Sequence, residues 1–262
     1  MNWITAEEFA GLKTWFDKYV NEFYKYGDDF RKNIKLKYDH SIRVGQEVLL
    51  LSEKTGLEQF KIPTAHTIAL FHDVGRFYQL EKYGTYADKD SDDHAKIGLE
   101  IIHKYGVFDF ADPKTKVLML TAISYHNKMA IPGNINGETL RFCKLIRDAD
   151  KLDILNVCLD YWENTAERNT VLELSLKDAP GYSKAVFDSV FSGEIARITD
   201  MQTINDFKLL QLGWLYDINF NETLQIMKER NYPGRMLHTL PNDCQIRSLE
   251  KKIENYLLKR IS

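Results

Sequence analysis

Apolar residues recur every three or four positions along most of this chain, which is the spacing of one face of an α-helix. The first such segment, from Thr5 to Tyr26, carries its apolar residues at Phe9, Leu12, Phe16, Tyr19 and Phe23. Thr5 and Glu8 have the spacing of a capping box, and Gly27 follows as a stop signal. The pattern predicts an amphipathic helix that buries one face.

The same spacing predicts further helices, separated by short breaks that contain glycine, proline or several polar residues. They cover Asn33 to Thr55, a stretch from Pro63 to near Gly75, Ser91 or Asp92 to Tyr105, Asp112 to His126, Thr139 to Trp162, Lys184 to Phe191, Ile204 to Tyr216, Glu222 to Glu229 and Gln245 to Leu258. Residues 79–93 are predicted to form a polar loop, and strand patterns are nearly absent. We therefore expect an all-α fold.

A single domain of residues 1–262 accounts for this pattern, because the breaks between the predicted helices are short and mixed in composition. A motif-bearing core covers about residues 33–162, and a C-terminal helical extension, about residues 163–262, is expected to pack on it. Of the 262 residues, 44 % are hydrophobic and 28 % are charged. The chain is therefore an ordinary globular protein, long enough to bury a sizeable core.

Charge and hydropathy exclude several classes of protein. Lys plus Arg number 35 and Asp plus Glu number 38, whereas a general nucleic-acid binder carries a clear basic excess. No apolar run approaches the roughly 18 residues that span a bilayer, and the first residues lack the pattern of a signal peptide. Three widely spaced cysteines, Cys143, Cys158 and Cys244, indicate reduced thiols. We expect a cytoplasmic protein without membrane or general nucleic-acid partners.

One pair of polar residues, His72 and Asp73, interrupts an apolar helical run from Ile68 to Val74. A polar pair in such a run costs free energy unless a partner satisfies it. Imidazole nitrogen and carboxylate oxygen suit first-row transition metals, and carboxylate also suits Mg²⁺. The pair is therefore a candidate metal site. The alternative is a partly exposed pair at a helix end, which Gly75 would allow.

Further candidate ligands follow in a fixed order along the chain: His40, His72 with Asp73, His94, His126 and Asp150. The local contexts are His-x-x-Arg-Val at His40, Phe-His-Asp-Val-Gly at the pair, and Ala-Asp-Lys-Leu-Asp at Asp150. Each motif is short, but the ordered set over roughly Tyr38 to Asp153 resembles the HD-domain superfamily of metal-dependent phosphohydrolases. The resemblance implies a helical bundle of the HD type.

The resemblance also implies how the ligands divide. A minimal site comprises His40, His72, Asp73 and Asp150. In the binuclear members Asp73 would bridge two ions, His40, His72 and Asp150 would hold one ion, and His94 with His126 would hold the other. The cofactor is then one or two divalent ions, drawn from Mn, Mg, Fe, Co, Ni and Zn. Asp153 shares a helix face with Asp150 and could hold a histidine, although we favour a surface aspartate.

A phosphorylated substrate needs cationic groups on the site side. Arg43 lies one turn after His40 and fits the His-x-x-Arg pattern of the superfamily, so it is the first candidate. Arg76 lies three residues after Asp73 and is the second. The alternative for each arginine is a surface cation on a helix, which is common.

The function that follows is metal-dependent hydrolysis of a phosphoester or phosphoanhydride, by metal-activated water. The expected substrate is a nucleotide or another small phosphorylated metabolite. Two alternatives stay open: an HD-type di-iron oxygenase, which uses a similar ligand set, and a non-catalytic nucleotide-sensing module. Substrate identity, native metal and oligomeric state do not follow from the sequence.

Overall fold

A computed structural model describes residues 1–164 and 173–261 of the chain. Twelve α-helices and several short 3₁₀ turns make up the regular structure of these residues. They contain one isolated bridge, between Lys177 and Thr203, and no β-strand. The predicted all-α fold is confirmed.

The chain divides into two compact units, Met1–Asp153 and Ile154–Ser262. The helices that begin in the first unit are α1 (Ala6–Asn21), α2 (Asp28–Lys54), α3 (Ile62–Phe71), α4 (Gly75–Tyr83), α5 (His94–Lys104), α6 (Pro113–Tyr125) and α7 (Gly137–Asn164). The second unit contains α8 (Lys184–Ser192), α9 (Ile204–Gly213), α10 (Asn221–Glu229), α11 (Tyr232–His238) and α12 (Cys244–Ile261). The single-domain organisation over residues 1–262 stays a prediction.

The first helix begins as its capping box requires. Thr5 Oγ1 accepts from Glu8 N at 3.2 Å, and Glu8 Oε2 accepts from Thr5 N at 2.7 Å. The helix ends at Asn21, five residues before the predicted end, and a 3₁₀ turn follows. Its buried face packs on the rest of the first unit: the Phe16 ring lies 5.6 Å from the Phe71 ring, measured between centroids. Phe71 directly precedes the candidate metal ligands.

Helices α4 and α5 approach each other closely at Gly75. A Cβ atom there would lie 2.1 Å from the His94 carbonyl oxygen and 2.6 Å from Gly98 N. Only glycine fits a position where two backbones approach this closely. Gly75 therefore permits the packing that brings the turn after α3 next to the start of α5.

The prediction of a polar loop over residues 79–93 is wrong for its first five residues. Residues 79–83 belong to α4, in which Gln79 and Leu80 are buried, and the loop begins at Gly84, whose φ is +68°. The N-cap of α5 also lies one or two positions later than predicted. Asp93, rather than Ser91 or Asp92, accepts from Ala95 N at 3.0 Å. Because the segment is polar in composition, the sequence pattern did not indicate that Gln79 and Leu80 are buried.

The second unit has its own core and an additional short helix that the sequence pattern did not predict. Helix α11 starts at Tyr232 with Pro233 in its first turn and buries Met236 and Leu237. Its seven residues are too few to establish helical periodicity.

In the described residues, no helix is long and apolar enough to cross a membrane.

Candidate metal centre

The structure brings all six candidate ligands together in the first unit. His40 comes from the middle of α2, His72 follows the end of α3, and Asp73 lies in the turn before α4. His94 begins α5, His126 follows the end of α6, and Asp150 lies on α7. Five of the six residues are buried, and the side chain of Asp150 is 16 % exposed.

Backbone carbonyls fix two of the imidazoles. His72 Nδ1 lies 2.7 Å from the carbonyl oxygen of Ala69, and His126 Nδ1 lies 2.7 Å from that of Ile123. A carbonyl oxygen can only accept, so Nδ1 carries a proton in both rings, and in the neutral form of each ring Nε2 keeps its lone pair.

Carboxylates hold the other two imidazoles in the same tautomer. His40 Nδ1 lies 2.6 Å from Asp153 Oδ2, and His94 Nδ1 lies 2.7 Å from Asp88 Oδ2. In the neutral form of each ring, Nδ1 donates to the carboxylate and Nε2 is the free acceptor. All four histidines therefore present the nitrogen that binds a metal.

The four Nε2 atoms form two pairs. His40 and His72 approach to 3.2 Å between Nε2 atoms, and His94 and His126 approach to 3.0 Å. The two oxygens of Asp73 divide between these pairs. Oδ2 lies 3.6 Å from His40 Nε2 and 3.9 Å from His72 Nε2, whereas Oδ1 lies 3.2 Å from His94 Nε2 and 3.7 Å from His126 Nε2.

Asp150 completes the first of these groups. Its Oδ1 lies 3.1 Å from His40 Nε2 and 3.6 Å from His72 Nε2. The atom is buried, and no described residue makes a conventional hydrogen bond to it. Lone pairs of two nitrogens and a carboxylate thus point at one another, which is unfavourable unless a cation lies among them.

The donor types and spacing fit a divalent metal. Ligand atoms of His40, His72 and Asp150 lie within 4.8 Å of one another, and so do those of His72, Asp73 and His126. Nitrogen and oxygen donors of this kind suit first-row transition metals.

The pKa shifts follow from burial and from the neighbouring charges. Burial and Lys37 lower the pKa of His40, but the neighbouring carboxylates of Asp150 and Asp153 raise it above its ordinary value overall. Burial, together with Arg76, lowers the pKa of His94 to about 4. Burial alone would raise the pKa of Asp73, yet Lys37 and Arg76 hold it well below the usual range. Asp73 is therefore ionised at neutral pH.

Asp153 is buried behind His40, so the surface interpretation of this residue is wrong. Its side chain is 2 % exposed, and it accepts from His40 Nδ1 and also from Arg43. Arg43 donates Nε to Oδ1 at 2.6 Å and Nη2 to Oδ2 at 3.1 Å. Arg43 is thus tied to the carboxylate that orients His40, and its contact with phosphate stays a prediction.

Arg76 links Asp73 to the loop that precedes α5. Its Nη1 donates to Gln79 Oε1 at 2.9 Å, to the Tyr86 carbonyl and to Asp88 Oδ1 at 3.1 Å. Its Nε lies 3.4 Å from Asp73 Oδ1. Arg76 therefore lies at the cluster, with its donors directed at protein groups. Its contact with substrate also stays a prediction.

The sequence argument missed Asp88 and Lys37. Asp88 holds His94, but it lies in a loop without periodicity, so no pattern marks it. Lys37 Nζ donates to Asp73 Oδ2 at 2.9 Å. Its position three residues before His40 on α2 is a signal that could have found it.

Arg147 fixes the segment that carries His126. This buried arginine donates to the carbonyl oxygens of Tyr125 at 3.1 Å and of Lys128, beyond the end of α6. A cation at a helix C-terminus is favourable, because the last carbonyls have no partner within the helix.

Fold and site together define a class: helical proteins with a buried cluster of histidines and aspartates that could hold divalent metal. The family model described as "HD domain" matches residues 38–155, and this match supports membership of the HD-domain superfamily. The match includes all six candidate ligands. The superfamily consists in general of metal-dependent hydrolases of small phosphorylated substrates. Searches of curated proteins and of solved structures found no match to the chain.

Proposed function

We propose that this protein is a metal-dependent phosphohydrolase with a site for two divalent ions. The observation that carries the proposal is the convergence of four imidazole Nε2 atoms on two carboxylates, with every Nδ1 directed at a separate acceptor. Lys37 and Arg76 lie beside Asp73, but Asp150 Oδ1 has no hydrogen-bond donor among the described residues. A divalent cation would stabilise this cluster of acceptors.

In this proposal each oxygen of Asp73 belongs to the ligand set of a different ion. His40, His72, Asp150 and Asp73 Oδ2 would hold one ion, and His94, His126 and Asp73 Oδ1 would hold the other. The separation of the two histidine pairs supports this division, because each pair faces a different oxygen of one carboxylate.

Bound divalent ions lower the pKa of water toward about 7 and neutralise phosphoryl charge, which are the two requirements for hydrolysing a phosphate ester. The protein's own residues supply positioning. Asp153 and Asp88 hold the rings of His40 and His94 and keep the proton on Nδ1. Lys37 and Arg76 keep Asp73 ionised.

The substrate in this proposal is a nucleotide or another small phosphorylated metabolite. Support comes from the superfamily and from the cations around Asp73. The formal net charge of −3 argues against a general nucleic-acid substrate, which would need a basic surface.

The test is a screen of nucleotides and phosphomonoesters with Mn²⁺, Mg²⁺, Co²⁺, Ni²⁺ and Fe²⁺, run with and without oxygen. Metal-dependent phosphate release in both atmospheres is expected. Oxygen consumption by the iron-loaded protein would favour the di-iron oxygenase instead. Nucleotide binding without turnover would favour a sensing module.

The variant Asp73→Ala removes one ligand oxygen from each group at once. We expect turnover to be lost while the circular dichroism spectrum stays helical, because the histidines keep their Nδ1 partners. Activity at a tenth of the wild type or more, about 1.4 kcal/mol of barrier or less, would contradict the site assignment.

A further inference from the structure

The Lys37 ammonium lies beside the carboxylate that faces both histidine pairs. Its Nζ is 2.9 Å from Asp73 Oδ2, and its side chain is 18 % exposed although Asp73 is buried. Lys37 and His40 are three residues apart on α2, so their side chains leave the helix on the same face. Lys37 is therefore a cation that reaches the buried cluster and is also accessible from solvent.

Lys37 differs from Arg76, the cation at the other oxygen of Asp73. Arg76 Nη1 already donates to Gln79, Tyr86 and Asp88. In the described part of the chain, the contacts of the Lys37 ammonium are the Asp73 carboxylate and the face of the Tyr86 ring, at 5.6 Å from its centroid. An ammonium has three donors, so Lys37 can serve another acceptor without leaving this position.

The charges around the cluster favour an anionic ligand once metal is bound. Among the described residues, the ion pairs at the cluster involve four carboxylates and three basic side chains: Asp73, Asp88, Asp150, Asp153, Lys37, Arg43 and Arg76. With neutral imidazoles this set carries one excess negative charge. A single divalent ion reverses its sign, and a second makes it strongly cationic, so the loaded site attracts polyanions.

We propose that Lys37 is a catalytic residue that binds a phosphoryl oxygen of the substrate. The inference rests on the proposed function and identifies the group that recognises the phosphate. When Asp73 is shared with a divalent ion, its attraction for the ammonium falls, and an anionic phosphoryl oxygen becomes the better partner. Lys37 is a competitor of the metal at Asp73 in the empty protein and a ligand of phosphate in the loaded one.

The test measures two affinities of the whole protein by isothermal titration calorimetry: Mn²⁺ for the apoprotein, and inorganic phosphate for the Mn²⁺-loaded protein. The variants are Lys37→Met, which keeps most of the length of the side chain without its charge, Lys37→Gln, in case the first does not fold, and Lys37→Arg. Lys35→Met is the matched control, because Lys35 is exposed on the same helix and pairs with Asp39.

Loss of the ammonium should weaken phosphate binding by about tenfold to a hundredfold, the value of a charged hydrogen bond. Mn²⁺ should bind as tightly as before or more tightly, because a competing cation has left Asp73. Lys37→Arg should retain most of the phosphate affinity, and Lys35→Met should behave as the wild type.

Three results would overturn the inference: a wild type that does not bind phosphate when loaded, neutral variants that bind it as tightly as the wild type, or a parallel loss of Mn²⁺ affinity, which indicates a structural role. Failure of the proposed function is a separate result, namely absence of hydrolysis by the wild type. The phosphate affinities do not depend on turnover, so the two failures are distinguishable.

Discussion

Each histidine of the cluster is held in one tautomer by an acceptor at Nδ1, and the acceptors are of two kinds. Backbone carbonyls hold His72 and His126, and carboxylates hold His40 and His94. A carboxylate partner raises the basicity of the opposite nitrogen and orients the ring. Only the carboxylate partners can be changed by substitution. Replacing one of them tests how ring orientation affects metal affinity without removing a ligand.

Asp153→Asn should lower the affinity for Mn²⁺ by about tenfold to a hundredfold, the usual cost of losing such a partner. The asparagine amide can turn its NH₂ group toward His40 Nδ1, which moves the ring proton to Nε2 and blocks the ligand atom. Calorimetric titration of the apoprotein measures the change. Asp109→Asn is the control, since Asp109 is exposed and pairs with Lys116. Equal affinity in the wild type and Asp153→Asn would exclude this role.

Two helices end in the same way at the cluster. At the ends of α3 and α6, the residue after the helix is a histidine whose Nδ1 donates to the carbonyl oxygen three residues earlier. This bond satisfies one of the carbonyls that a helix C-terminus leaves without a partner. Helix termination and ligand orientation therefore have a common cause at His72 and at His126.

The contact between α4 and α5 fixes the distance from Asp73 to His94 and depends on Gly75. Gly75→Ala should destabilise the protein by about 1–3 kcal/mol, because the new Cβ meets backbone atoms that cannot rotate away. Denaturant unfolding of the apoprotein measures the change. Gly11→Ala is the control: it lies within α1 with no atom near the new Cβ, and alanine is the better helix former there. An unchanged midpoint for Gly75→Ala would show that the helices can separate freely.

At the scale of the whole molecule, every residue assigned to the candidate metal centre lies in Met1–Asp153. The family match, residues 38–155, agrees with this location. The proposed activity therefore places no requirement on α8 to α12, and the role of these helices is not defined by the site.

The number of bound metals is a property of the assembled cluster. Elemental analysis after reconstitution should find two ions per chain, since each oxygen of Asp73 faces its own pair of histidines. The double variant His94→Ala and His126→Ala should retain one ion, held by the group that contains Asp150. If the wild type binds a single ion under saturating metal, the binuclear proposal is wrong.

Most of the helices could be predicted from the sequence, because burial of one helical face imposes a period that is local in the chain. The capping box of Thr5 and Glu8 is equally local and was predicted correctly. The prediction failed where a segment was short, as in α11, or where buried and polar residues coincide, as at Gln79 in α4. In these places tertiary packing outweighs the local pattern.

The six candidate ligands were also selected from the sequence alone, by their order and their resemblance to a superfamily. Their division into two groups was implied by the same resemblance. The roles of Lys37 and Asp88, and the choice between the two interpretations of Asp153, came only from the tertiary structure. The physical reason is distance along the chain. His40 and Asp153 are 113 residues apart, and only the packing of α2 against α7 decides whether that aspartate faces solvent or holds an imidazole.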